Sequence, residues 1–181
     1  MTYYGAKDLA NSFRTVRKNT IAVAEDIPEE KYSFSPAPGV RTVGQTLAHI
    51  ALTPRMGLIL HGEGLTTLEG FDFMKHFGVL MAETEKPRTK AEILALLRED
   101  GEKWASFVEG LSEESLSQVI TMPPGGNPPS RTRIDMILGV KEHEMHHRGQ
   151  LMLVERILGI TPHLTREMQA RMAQQQAAAQ K

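Results

Sequence analysis

Three of the seven histidines in this chain fall within five residues, in the run His143-Glu144-Met145-His146-His147-Arg148-Gly149-Gln150. On a helix turning about 100° per residue, His143 and His147 stand about 40° apart. Imidazoles at i and i+4 can turn ring nitrogens toward one ion, and neutral imidazole is the commonest metal ligand near neutral pH. The spacing points to a metal site whose remaining ligand comes from elsewhere. The chain has no cysteine. Disulfides, thiolate ligands and a Cys nucleophile are therefore excluded, and the donors must be His, Asp, Glu or water.

Four long amphipathic segments must position these groups. The first runs from about Lys7 to Ile27, with Leu9, Phe13, Val16, Val23 and Ile27 on one stripe, and Pro28 stops it. The second opens at Thr42, where Thr42 and Gln45 fit a capping box. Its apolar stripe is Val43, Leu47, Ile50 and Ala51. A mixed line carries Thr42, Gln45, Thr46, His49, Thr53 and Met56, and Pro54 kinks the helix without ending it. The third opens with a second capping box, Thr89 to Glu92, and turns Ile93, Leu97, Trp104 and Val108 inward. The fourth runs from about Thr132 to Leu158 and ends at Gly159. Its expected inward line is Met136, Val140, His143, His147, Gln150, Leu151 and Val154, with Lys141, Met145, Arg148 and Glu155 opposite. No strand is predicted. The connection 62–88 has room for a short helix near Lys75 to Met81, and 121–131 is a Pro/Gly-rich loop. The expected fold is all-α, a four-helix bundle with long loops, as one domain over 1–165. Residues 166–181 read as a low-complexity tail, a frayed helix or disorder.

Bundle sites are built from side chains on facing helices. If the second and fourth helices are neighbours, His49 completes a three-histidine set with His143 and His147. Three nitrogens with one position open resemble a catalytic zinc arrangement, in which the ion lowers the pKa of bound water. The alternative for His49 is a hydrogen-bonded core or surface residue. Gln45 and Thr53, on the His49 line, are expected at the pocket or behind the ligands. His146 lies off the line of its neighbours and reads as a pocket wall, a group behind the ligands, or a structural residue. Gln150 either orients a ligand or is an amide bonded to backbone. Glu144 completes a His-Glu-x-x-His pattern, so it is either a protease-type general base or a solvated carboxylate. Arg148 is expected in an ion pair or subunit contact. His61, His76 and His163 read as surface residues.

The formal net charge is −1, which argues against a nucleic-acid partner, and Arg131, Arg133, Lys141 and Arg148 read as solvated. No stretch approaches the roughly 20 apolar residues of a membrane span. The first residues lack the basic and apolar regions of a signal peptide, so a cytoplasmic location is the expectation. No Gly-x-Ser-x-Gly elbow and no phosphate-cradling Gly-Lys-Ser/Thr loop occurs.

Two segments carry a resemblance. Thr42-Val43-Gly44-Gln45-Thr46-Leu47-Ala48-His49-Ile50, and His143 through Leu151 followed by Leu158-Gly159-Ile160-Thr161-Pro162, resemble the DinB-like family of small bacterial four-helix proteins. The resemblance implies a divalent ion, zinc or nickel, held by His49, His143 and His147 in a homodimer. It also implies a metal-dependent enzyme of thiol S-transferase or hydrolase type, acting on a small molecule such as a low-molecular-weight thiol. A non-catalytic metal-binding stress-response protein is the alternative.

Overall fold

A computed structural model describes residues 4–179. In chain order these form α1 (Ala6–Asp26), α2 (Val43–Gly62), α3 (Phe73–Thr84), α4 (Lys90–Glu109), α5 (Glu113–Ser117), β1 (Val119–Thr121), β2 (Ser130–Thr132), α6 (Arg133–Ile157) and α7 (His163–Ala179). The four long predicted helices are α1, α2, α4 and α6. They close into a ring, α1 on α4, α4 on α2, α2 on α6 and α6 on α1. The helices that carry His49 and the His143–His147 pair are thus neighbours.

The helix ends follow local chemistry. At α2, Thr42 Oγ1 accepts from the Gln45 N–H while Gln45 Oε1 accepts from the Thr42 N–H. Thr89 and Glu92 do the same at α4. Gly159, at φ 78°, ends α6 in a left-handed turn that glycine adopts without a Cβ clash. There its N–H bonds Arg156 O and the Ile160 N–H bonds Glu155 O.

Two expectations change and one is narrowed. A two-stranded antiparallel hairpin, with Ile120 opposite Arg131, frames the Pro/Gly-rich loop. Three-residue strands are too short to leave an alternating pattern. Residues 166–179 of the low-complexity tail continue α7, so of the two readings for 173–181, helix or disorder, the helix is the one seen through Ala179, while Gln180 and Lys181 lie outside the described residues. The core face of α6 is also rotated from the expected one. It carries Arg133, Ile137, Glu144, Leu151, Val154 and Glu155, so Glu155 is buried instead of facing solvent. Burial, with Asp26 nearby, pushes the Glu155 carboxyl up to about 7.

The turn of α6 is set by charge. Glu144, 2% exposed, meets Arg17 of α1, 4% exposed, in the middle of the bundle. Arg17 Nε donates to both Glu144 oxygens at 2.9 and 3.1 Å, and Nη2 donates to Oε2 at 2.9 Å. Nη1 also donates to Leu97 O of α4 at 2.7 Å, and Nη2 to Ile50 O of α2 at 3.3 Å. Ile50 O is the carbonyl that Pro54 cannot bond, four residues on and without an N–H, so Arg17 supplies the missing donor. Gly101 gives the guanidinium room, since a Cβ there would lie 2.9 Å from Arg17 Nη1. Glu144 is thus neither a solvated carboxylate nor a base available to the imidazoles, and the protease mechanism loses its base.

Other polar residues read as exposed are also buried. His61 is 4% and His163 7% exposed. His61 Nδ1 accepts from Arg133 Nη1, and Arg133 also donates to Leu65 O, Ser115 O and Gln118 Oε1. Arg131 pairs with Asp135, and Lys141 reaches Ser12. Among the described residues Arg148 makes no ion pair but donates to Val16 O of α1. The four basic residues therefore form no free patch.

Breaking a buried pair strands the partner's charge. Arg17→Met and Glu144→Leu should each lower the unfolding free energy by about 3–5 kcal/mol. In urea denaturation the double variant should be more stable than the summed losses allow, and losses that simply add would contradict a shared interaction.

Candidate metal centre

His49, one turn before Pro54 on α2, and His143 and His147, one turn apart on α6, point into the seam between the two helices. His49 Nε2 lies 3.1 Å from His143 Nε2, and His147 Nε2 lies 3.2 Å from the same atom. One ring nitrogen from each of the three falls within 4.8 Å of the others, a group able to hold a metal ion. Two nitrogens each about 2.1 Å from a shared ion stand about 3.4 Å apart at a tetrahedral angle, close to what is seen. Three lone pairs at this spacing repel unless a cation lies among them or one neutral ring turns its N–H toward another.

An added proton, and with it a charged ring, is disfavoured. Burial first, then the Arg41 cation and the neighbouring rings, lowers His49 to about 3. Burial and the adjacent imidazoles lower His143 to about 4, and burial lowers His147 as well. The rings are therefore neutral near pH 7, and each keeps one nitrogen lone pair that a cation could take. That donor set fits a divalent ion of intermediate softness.

Gln150 orients one ring. Its Oε1 accepts from His147 Nδ1 at 2.8 Å, which places the proton on Nδ1 and leaves Nε2 free. The amide then donates through Nε2 to His146 Nε2 at 3.2 Å. His146 is exposed and touches the set only through Gln150 and the His147 ring. Thr53 donates its hydroxyl to His49 O, so it braces the helix and not the ring. Gln45, expected at the pocket, is instead committed to its capping box and to Glu85.

A cavity of 150 Å³ opens beside the set. Leu52, Thr53 and Met56 of α2 and Phe77, Leu80 and Met81 of α3 wall it, and His49 and His143 reach it. A larger groove, 630 Å³, runs between the Glu29–Ser33 turn and the start of α4 and touches none of the imidazoles. Arg41 is the residue that sequence reasoning missed. It precedes the Thr42 cap, outside any periodic stripe, and its nearness to the rings arises only from packing.

These shifts fix a sign. The unfolded chain takes up protons near 6.5, whereas folded His49 and His143 resist until about 3 and 4. Below about pH 6.5 the unfolded state binds more protons, so stability falls with falling pH until the folded rings titrate. With chelator present, the melting temperature should drop between pH 7 and 5, and less steeply in His49→Asn and His143→Asn. Equal slopes in all three proteins would contradict the shifts.

Comparison with known proteins places the chain. The model of the DinB superfamily matches residues 12–151. YjoA of Bacillus subtilis is 24% identical over 159 residues, 86% of this chain and 92% of YjoA. The crystal structure of YjoA aligns with a TM-score of 0.62 at 23% identity, over 84% of this chain and 92% of that one. YfiT of Bacillus subtilis, described as a probable metal-dependent hydrolase with an unusual four-helix bundle topology, aligns at 0.69 and 16% identity, over 89% and 91%. A DinB-like protein of Bacillus cereus aligns at 0.65 and 19% identity, over 89% and 97%. At these identities the structures speak for the fold, and the family model spans most of the chain: this protein belongs to the DinB superfamily.

Proposed function

We propose that this protein is a metal-dependent enzyme of the hydrolase type, with His49, His143 and His147 as ligands of a divalent zinc or nickel ion. The observation that carries the reading is the convergence of three neutral Nε2 atoms from two helices beside a cavity that reaches His49 and His143. A bound divalent ion would supply Lewis acidity, lowering the pKa of a water or thiol and polarising a substrate. Around it, Gln150 holds the His147 ring in one tautomer, and the buried Arg17–Glu144 pair holds α6 at the turn that presents both histidines. YfiT, described as a probable metal-dependent hydrolase on the same fold, supports the hydrolytic version. Thiol S-transfer uses the same nucleophile-activating chemistry and is the second reading, resting on the family resemblance. Leu153 and Ile157, more than half exposed on α6, offer a second copy an apolar face and support a homodimer.

Elemental analysis after dialysis against zinc or nickel should find about one ion per chain, and far less in His49→Ala. Equal metal in both would overturn the site. Gln150→Leu should weaken zinc affinity by about 10–100-fold through loss of ring orientation. Chelation should lower the melting temperature, since zinc at 100 times its dissociation constant adds about 2.7 kcal/mol. Metal-loaded protein should hydrolyse small activated esters, or consume an electrophile with added thiol, faster than free ion. Tight metal binding without turnover on either would favour the non-catalytic, stress-response reading.

A further inference from the structure

Two features beside the imidazoles have no part in holding an ion: an apolar cavity and a cation that meets no counter-charge among the described residues. The cavity measures 150 Å³ and takes most of its wall from Leu52, Met56, Phe77, Leu80 and Met81. An apolar space of that size holds about one benzene ring. Among the described residues its polar edge is Thr53, Thr84 and the imidazole pair His49 and His143, so a group seated there abuts the proposed metal centre directly.

Arg41 stands at the rim. Its Nη2 touches Met81 Sδ at 3.8 Å, a weak acceptor on the cavity wall. On its other side Arg41 lines a second hollow with Gln150, the amide that orients His147. Among the described residues no Asp or Glu pairs with it. A half-buried guanidinium beside three neutral ligands would make this corner cationic once a divalent ion is bound, and a partly desolvated cation favours an anionic partner. The planar guanidinium of Arg41 matches a planar monoanion such as a carboxylate in the two-pronged pairing that arginine favours.

We propose that the α2–α3 cavity and Arg41 form the recognition half of the site, and that the substrate joins a phenyl-sized apolar group to a carboxylate. The inference rests on the reading of His49, His143 and His147 as a metal centre. The cavity sets the size of the apolar group, and Arg41 sets the position of the charge. The reacting atom lies between them, against the imidazoles.

The test titrates 3-phenylpropionate into zinc-loaded protein by calorimetry, with 3-phenylpropanol and propionate as controls. The aromatic carboxylate should bind at least about tenfold more tightly than either control, the alcohol lacking the charge-assisted bond and propionate lacking the ring. Arg41→Gln should erase the advantage over 3-phenylpropanol and leave the alcohol within about twofold. Leu80→Trp, and independently Thr53→Leu from the opposite wall, should weaken both aromatic probes at least about tenfold by filling the space. Zinc affinity, measured separately in each variant, should be retained, and it should tighten in Arg41→Gln, where a neighbouring positive charge is lost; its retention reports an intact fold. Binding of zinc that depends on His49, with no preference for 3-phenylpropionate or no effect of these variants, would overturn the recognition site and leave the metal centre standing. Failure of the wild-type protein to bind zinc would overturn the metal centre, and this inference with it.

Discussion

One guanidinium ties this bundle together. Arg17, from α1, bonds Glu144 of α6, the Leu97 carbonyl of α4 and the Ile50 carbonyl of α2, so every long helix meets in its bonds. A charge pair in a bundle core does little for net stability, because desolvation offsets attraction. Its consequence here is geometric. Glu144 lies one residue after His143 and three before His147, so directing its carboxylate at Arg17 turns both imidazoles onto the flank beside α2. A rotation of α6 that freed Glu144 would strand a buried charge and pull the histidines away from His49.

The same region shows how a sequence irregularity is absorbed. Pro54 leaves the Ile50 carbonyl without its helical donor, one turn from His49 in the middle of α2. Arg17 donates to that carbonyl, and Gly101 leaves the space that lets it arrive. Three separate features, a proline, a glycine and a buried ion pair, thus resolve into one arrangement that holds the His49-bearing stretch of α2 in register with α6.

The electrostatics of the three-histidine corner follow from burial. Neutral ligands would leave the charge of a bound cation undiminished, and Arg41 would add to it. No carboxylate belongs to the ligand group. Such a corner stabilises anions, whether a nucleophile losing its proton or a charged substrate group. The apolar walls of α2 and α3 exclude water from one side and strengthen those interactions.

The capping boxes at Thr42 and Thr89, the stop at Gly159 and the spacing of His143 and His147 were legible because each acts within one or two turns of its own helix. The four long helices followed from periodicity, and His49 stood out as a polar residue on a mixed line. The core face of α6 was not legible. Arg133, Glu144 and Glu155 look like surface residues until their partners are known, and those partners lie on other elements or in loops. His61 and Arg133 hid each other in the same way. Arg41 and the cavity had no local signal, since both exist only where α3 and the stretch before α2 pack beside the rings. The amino-acid order by itself determined the helices, their ends and which histidines share a turn. The tertiary structure alone decided which way α6 faces and what stands next to the imidazoles, because buried charge is tolerated only where a distant partner meets it.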